Sequence, residues 1–148
     1  MKLEIKIDTA IVEPETVITT SAMTDEVNRV VNYISNLENS SFMITGQKDG
    51  KIELLDQEKI IRLYAENGKT FAKLNQATYQ IRLRLYELEE RLDNEKFVRI
   101  SNSEIVNLKK VKGLDLSFVG TICMELENGE VSYVSRRYVS KIKKKLGL

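Results

Sequence analysis

The 148-residue chain carries 23 Lys/Arg against 22 Asp/Glu, no histidine and one cysteine. That inventory excludes zinc sites built on histidine and Ser-His or Cys-His nucleophile pairs. Cys123 has no partner for an internal disulfide, which fits a reducing compartment. No run approaches the roughly 18 apolar residues of a membrane span, and Met1–Lys6 lacks the apolar stretch of a signal peptide, so the expected location is cytoplasmic.

Residues 2–9 alternate, with Leu3, Ile5 and Ile7 on one side and Lys2, Glu4 and Lys6 on the other, which predicts a half-buried strand. Pro14 and its polar neighbours break that pattern. Thr24 can cap a helix with Asp25 and Glu26 in its first turn. Val27, Val30, Val31, Ile34 and Leu37 then form an apolar stripe at helical spacing. Asn39-Ser40-Ser41 reads as a loop. It sets the expected boundary between a strand–helix front segment, 1–41, and a β-rich domain, 42–148.

In that domain three turn dipeptides separate apolar runs. Asp49-Gly50 lies between Phe42–Gln47 and Ile52–Leu55. Asn67-Gly68 lies between Ile60–Tyr64 and Thr70–Leu74. Asn128-Gly129 lies between Thr121–Leu126 and Val131–Val134. Each predicts a tight hairpin with positive φ at both turn residues. Leu85, Leu88 and Leu92, interleaved with Glu87, Glu89, Glu90 and Arg91, predict a short helix. Phe97–Ile100, Ile105–Leu108 and about Val111–Leu116 read as further short strands. The expected class is mostly β with a few short helices. Tyr33, Tyr79 and Tyr86 are expected in packing, since no basic-aromatic alternation marks a stacking platform.

Charge is unevenly spread. Residues 1–50 sum to −4, residues 51–95 to −1 and residues 96–148 to +6. A basic third is what a nucleic-acid face leaves, although a basic helix tail gives the same count.

The last helix starts with a local conflict. Ser135 is a good N-cap, because its hydroxyl can accept an orphan N–H. Arg136 and Arg137 then occupy the first turn, where the helix dipole favours acids. An anion docked there would resolve the conflict; two solvated surface arginines are the plainer explanation. Tyr138, Val139, Ile142 and Leu146 face the core by spacing. Lys143-Lys144-Lys145 suit the negative end of the helix, with phosphate contact as the alternative.

Two stretches carry a family resemblance. One is Phe97-Val98-Arg99-Ile100-Ser101-Asn102-Ser103-Glu104-Ile105-Val106-Asn107-Leu108. The other runs from Asn128-Gly129 through Val134-Ser135-Arg136-Arg137-Tyr138-Val139 to Leu148. With the β-rich segment between them, from about Gly46 to Leu148, the chain resembles the LytTR DNA-binding family of bacterial transcription regulators. The resemblance implies a stack of short β-sheets that reads double-stranded DNA with loops rather than with a recognition helix. It places at the DNA a first loop of Asn67, Gly68, Lys69 and Thr70. A second holds Ser101, Asn102 and Ser103, with Arg99 in the motif ahead of it, and a third holds Arg136 and Arg137. Arg can fork onto guanine and Asn onto adenine, whereas Lys69, Ser101 and Ser103 suit phosphates.

The pattern departs from the family in two places. Only some forty residues precede the β domain, too few for a receiver, so control by aspartyl phosphorylation is not expected. The front segment resembles the small stand-alone LytTR regulators, which are often encoded beside a small inhibitory membrane protein. Tyr64 stands where the family favours an acid, which leaves the register of the first loop open by about one residue. The resemblance further implies a homodimer, at least on DNA. No cofactor, metal or small-molecule substrate is implied. The alternative function is a protein-interaction module that docks through the front strand and helix, with the basic face incidental. No residue constellation points to an enzyme.

Overall fold

The computed structural model describes residues 1–38 and 43–148. The chain divides into two units, Met1–Ile34 and Ser35–Leu148. The expected boundary at Asn39-Ser40-Ser41, and Phe42 of the expected first hairpin, lie outside the described residues.

Helix α1 (Asp25–Glu38) starts in the first unit, and it begins as its sequence asks. Thr24 Oγ1 accepts the Val27 N–H at 3.3 Å, and Asp25 and Glu26 fill the first turn. Val27 is buried, while Val31 and Leu37 are exposed, so the stripe is only partly used. The predicted strand at residues 2–9 is not formed. Leu3, Ile5 and Ile7 are 84%, 76% and 93% exposed. Alternation supplies two faces, but a strand also needs a neighbour for its N–H and C=O groups, and no ladder involves this segment.

The second unit is mostly antiparallel β. Its strands are β1 (Ile44–Lys48), β2 (Lys51–Leu55), β3 (Arg62–Glu66), β4 (Lys69–Lys73), β5 (Thr78–Ile81), β6 (Phe97–Ser101), β7 (Glu104–Asn107), β8 (Val111–Asp115), β9 (Ile122–Leu126) and β10 (Val131–Val134). Helix α2 (Leu85–Arg91) lies between β5 and β6, and α3 (Arg136–Leu146) closes the chain. Seven strands form one sheet in the order β2-β1-β5-β4-β3-β7-β6, and three form a second, β10-β9-β8.

The large sheet separates two cores. On one face Leu63, Ala72, Phe97 and Ile105 meet Leu85, Leu88 and Leu92 of the α2 region. On the other, Ile61, Val98, Ile100 and Val106 meet Ile122, Met124, Leu126 and Val134 of the small sheet and Ile142 of α3. Neighbouring residues such as Phe97 and Val98, or Ile105 and Val106, therefore serve opposite cores. That is why these strands read as continuous apolar runs. Tyr138, Val139 and Leu146 pack against the second core as their spacing predicts.

The turn dipeptides mostly act as expected. Asp49 and Gly50 take φ of 52° and 75°, and Asn67 and Gly68 take 51° and 75°. The third differs: only Gly129 has positive φ, at 85°. There the Gly129 N–H bonds the Leu126 carbonyl at 3.0 Å, and Leu126 N–H bonds the Glu130 carbonyl at 2.8 Å. This is a longer hairpin in which glycine alone carries the left-handed residue. Tyr33 and Tyr86 are 61% and 63% exposed, so they do not pack as expected, whereas Tyr79 lies against the first core.

Candidate nucleic-acid interface

Backbone and side-chain bonds bring the three expected loops together. The β3–β4 hairpin turns at Asn67-Gly68, and just before it the Ala65 N–H bonds the Ser103 carbonyl at 2.9 Å. That joins the first loop to the β6–β7 turn, whose tip is Asn102-Ser103. The Ser135 N–H bonds the Ile100 carbonyl at 2.9 Å, and the Tyr138 hydroxyl bonds Asn102 Oδ1 at 3.3 Å. These two bonds join the second loop to the start of α3. Asn67, Lys69, Asn102, Ser103, Arg136 and Arg137 are all exposed, and Ser101 is half-buried.

Within the second loop, the Ser103 N–H bonds Ser101 Oγ at 3.2 Å, and the two hydroxyls lie 3.3 Å apart. The register of β6 on β7 shifts between Arg99 and Ser101. Neither Asn102 nor Ser103 has positive φ, so this bulge supplies the twist that a primed turn would give.

Arg99 is not a free reader. Its Nε donates to the Ser101 carbonyl at 2.7 Å, Nη2 to the Asn102 carbonyl, and Nη1 to Glu89 of α2 at 2.9 Å. Its side chain is 13% exposed. The guanidinium is a brace that fixes the loop from beneath, because its planar fork can hold two carbonyls and a carboxylate at once. Thr70 is likewise withdrawn. It is 4% exposed because β4 alternates and Lys69, not Thr70, takes the outward position.

The start of α3 departs from expectation as well. Ser135 stands at the N-cap with φ −69° and ψ 153°, but its hydroxyl caps nothing. The oxygen is shielded and has no partner among the described residues. The turn closes instead through the backbone, Tyr138 N–H to the Ser135 carbonyl at 2.9 Å. The helix N-terminus thus keeps its partial positive charge, with two arginines beside it. Arg136 lies along the loop after β8: a Cβ at Gly120, whose φ is +74°, would sit 3.1 Å from Arg136 Nε. The Arg137 side chain makes no hydrogen bond or ion pair among the described residues.

Two cations escaped the sequence reading. Arg84 Nη1 donates to the Gly68 carbonyl at 2.9 Å, which puts a second basic side chain at the first loop. Lys141 is exposed on α3, four residues after Arg137 and so on the same side of the helix. The i, i+4 spacing was a usable signal for Lys141. For Arg84 there was none, since only the tertiary fold brings α2 to the hairpin.

An ion network fixes the small sheet behind these loops. Arg62 lies 2.9 Å from Glu130 and 3.5 Å from Glu104, and Lys73 lies 3.4 Å from Glu130. Ser132 donates to Glu104 at 2.5 Å. Burial, with the like charge of Glu130 beside it, pushes the Glu104 carboxyl up against the pull of the Ser132 hydroxyl and Arg62. Burial also acts against ionised Glu130, but the Arg62 hydrogen bond and the charges of Arg62 and Lys73 outweigh it and hold that carboxyl low.

A β scaffold that gathers three polar loops beside a cationic helix start has the build of a nucleic-acid-binding module. Comparison with known proteins places it more narrowly. Residues 50–147 match the family model described as the LytTr DNA-binding domain. Relatives described as uncharacterised HTH-type transcriptional regulators occur in Staphylococcus aureus. Those of strains MSSA476 and MW2 are each 33% identical over 148 residues, covering 100% of this chain and 99% of theirs. A solved structure described as the LytTr DNA-binding domain of a methyl-accepting/DNA response regulator from Bacillus cereus is also similar. It shares 27% identity at a TM-score of 0.69, over 72% of this chain and 97% of that one. The chain belongs to the LytTR family, whose domains bind DNA and are not enzymes. Despite the relatives' label, α2 and α3 are separated by β6 to β10 and form no helix-turn-helix.

Proposed function

We propose that the protein is a transcription regulator that recognises specific sequences in double-stranded DNA through loop side chains, and that it acts in the cytoplasm as a homodimer on its site. The contiguity of the three loops carries this reading. Ala65–Ser103 and Asn102–Tyr138 hold them as one surface around the unpaired Arg137. Arg137 and Asn102 are the base readers in this reading. Lys69, Arg84, Ser101, Ser103, Arg136 and Lys141 supply contacts to the backbone, which fix register without reading sequence. The open N–H groups at the start of α3 favour a phosphate there. Thr70 and Arg99 take no direct part. Control runs through the front segment rather than through aspartyl phosphorylation; the match to the relatives spans all of this chain, the front segment included.

Selection of bound duplexes from a random pool tests the proposal. A consensus is expected, with affinity falling steeply as salt rises. A pool that returns no consensus overturns sequence specificity, and affinity indifferent to salt overturns phosphate-dominated binding.

A further inference from the structure

The front segment and the sheet offer two unpaired β surfaces. Among the described residues, strand β2 ends the seven-stranded sheet, with only β1 beside it. Its Ile52 and Leu54 point to one face and are 68% and 67% exposed. A sheet edge with open N–H and C=O groups is a template for another strand, and the charges on this one, Lys51 and Glu53, restrict which strand can add. Residues 2–8 alternate in the same way, and Leu3, Ile5 and Ile7 are exposed. A turn closes directly after this stretch, where Asp8 Oδ1 accepts the Ala10 N–H at 2.9 Å.

We propose that the front segment of one copy adds as an antiparallel strand to the β2 edge of a second copy, with Ile5 opposite Leu54 and Ile7 opposite Ile52. Charge selects this register. Placing Leu3 opposite Leu54 also matches apolar faces, but sets Glu4 against Glu53 and Lys6 against Lys51. Moving by two residues sets Lys6 against Glu53 and Asp8 against Lys51. Opposite charges across a ladder stabilise it and like charges do the reverse. Five residues, Glu4–Asp8, then cover the five of β2, and the turn after Asp8 ends the strand where β2 begins. A parallel register through Ile5 and Ile52 would also match charges, but every ladder in this sheet is antiparallel, the slightly stronger arrangement. Each copy supplies one such segment and one β2 edge, so two copies satisfy each other in a closed, symmetric pair.

The inference rests on the dimeric part of the proposed function, and its test is done without DNA. Full-length chains with Cys123→Ser carry either Ile7→Cys or Ile52→Cys and are mixed under mild oxidation. A covalent product of twice the chain mass is expected, at least tenfold above either variant alone. Ile5→Cys mixed with Leu54→Cys should behave alike. All four positions are exposed, so the fold is not at risk. Linkage of 5 to 52 and 7 to 54 instead would make the ladder parallel and overturn the register. Linkage of Ile52→Cys to itself would show edge-to-edge pairing and overturn the occupant. Closure only within a chain carrying both cysteines would overturn the second copy, and no linkage would overturn the ladder altogether. With native apolar residues, Lys6→Glu should weaken self-association at least tenfold, and Lys6→Glu with Glu53→Lys should restore it; no restoration overturns the charge pairing. Duplex binding by the parent separates the two readings. Binding without linkage sinks the ladder alone, and linkage without binding sinks the DNA reading alone.

Discussion

The Tyr138 hydroxyl bonds the side-chain oxygen of Asn102 at 3.3 Å, across 36 residues of sequence. A residue of the last helix thereby orients the amide at the tip of the β6–β7 turn. To read adenine, that amide must donate and accept together in one plane. Tyr138→Phe should keep the fold, at a cost of about 0.5–1.5 kcal/mol. It should relax preference at the same base position as Asn102→Ala. Binding of both variants to single-substitution duplexes checks this. Relaxation at different positions would separate Tyr138 from Asn102 function.

Arg137→Ala should cost about 1–3 kcal/mol in binding and relax preference at one base pair. Lys69→Ala should weaken all sequences about equally and lower the salt slope by about one. Neither should lower thermal stability by more than about 0.5 kcal/mol, since both residues are exposed. Full affinity and preference in Arg137→Ala, with a parental melt, would show that the reading residue lies elsewhere.

Arg99 should behave differently from both. Arg99→Ala removes the brace under Ser101 and Asn102 and the link to Glu89, a loss of about 1.5–3 kcal/mol in stability. Arg99→Lys should rescue little, because an ammonium cannot reproduce the planar fork. Affinity should fall alongside the melting temperature for matched and mutated duplexes alike. Loss of preference at one base with an unchanged melt would instead make Arg99 a reader.

The ion network predicts opposed pH responses. Glu104 is held above its ordinary value of 4.5, so the fold binds its proton more tightly than the unfolded chain does. Its contribution is present at acid pH and is lost as pH rises through the folded value. Glu130 is held below 4.5, so its contribution is present above that value and is lost as pH falls through the folded one. Thermal unfolding across about pH 3 to 8 should show Glu104→Gln removing stability loss on the rising side, and Glu130→Gln removing it on the falling side. The same flank changing in both variants would contradict the assignment.

The hairpins were legible because Asp-Gly and Asn-Gly state a backbone conformation locally. Strand β5 was not read, because Thr78–Ile81 is short and follows Asn75-Gln76-Ala77 without such a marker. The strand expected at residues 2–9 shows the converse: alternation was present and a neighbour was not. At the proposed interface, the stretches expected as three loops lie together, but which of their side chains are exposed was not legible. The alternation of β4 held the answer for Thr70, since Lys69 and Thr70 cannot share a face. The brace role of Arg99 depends on Glu89, ten residues away on another element, and no local rule reaches it.

Strands β6 and β7 each feed residues into both cores. Neither layer can open around them without exposing the other, so the amides that pair β6 with β7 should exchange with solvent only through global unfolding. The Asn102-Ser103 turn is mounted on this doubly packed pair of strands. It therefore has little conformational freedom to surrender when a duplex docks, and association should be fast and nearly free of ordering entropy at that loop.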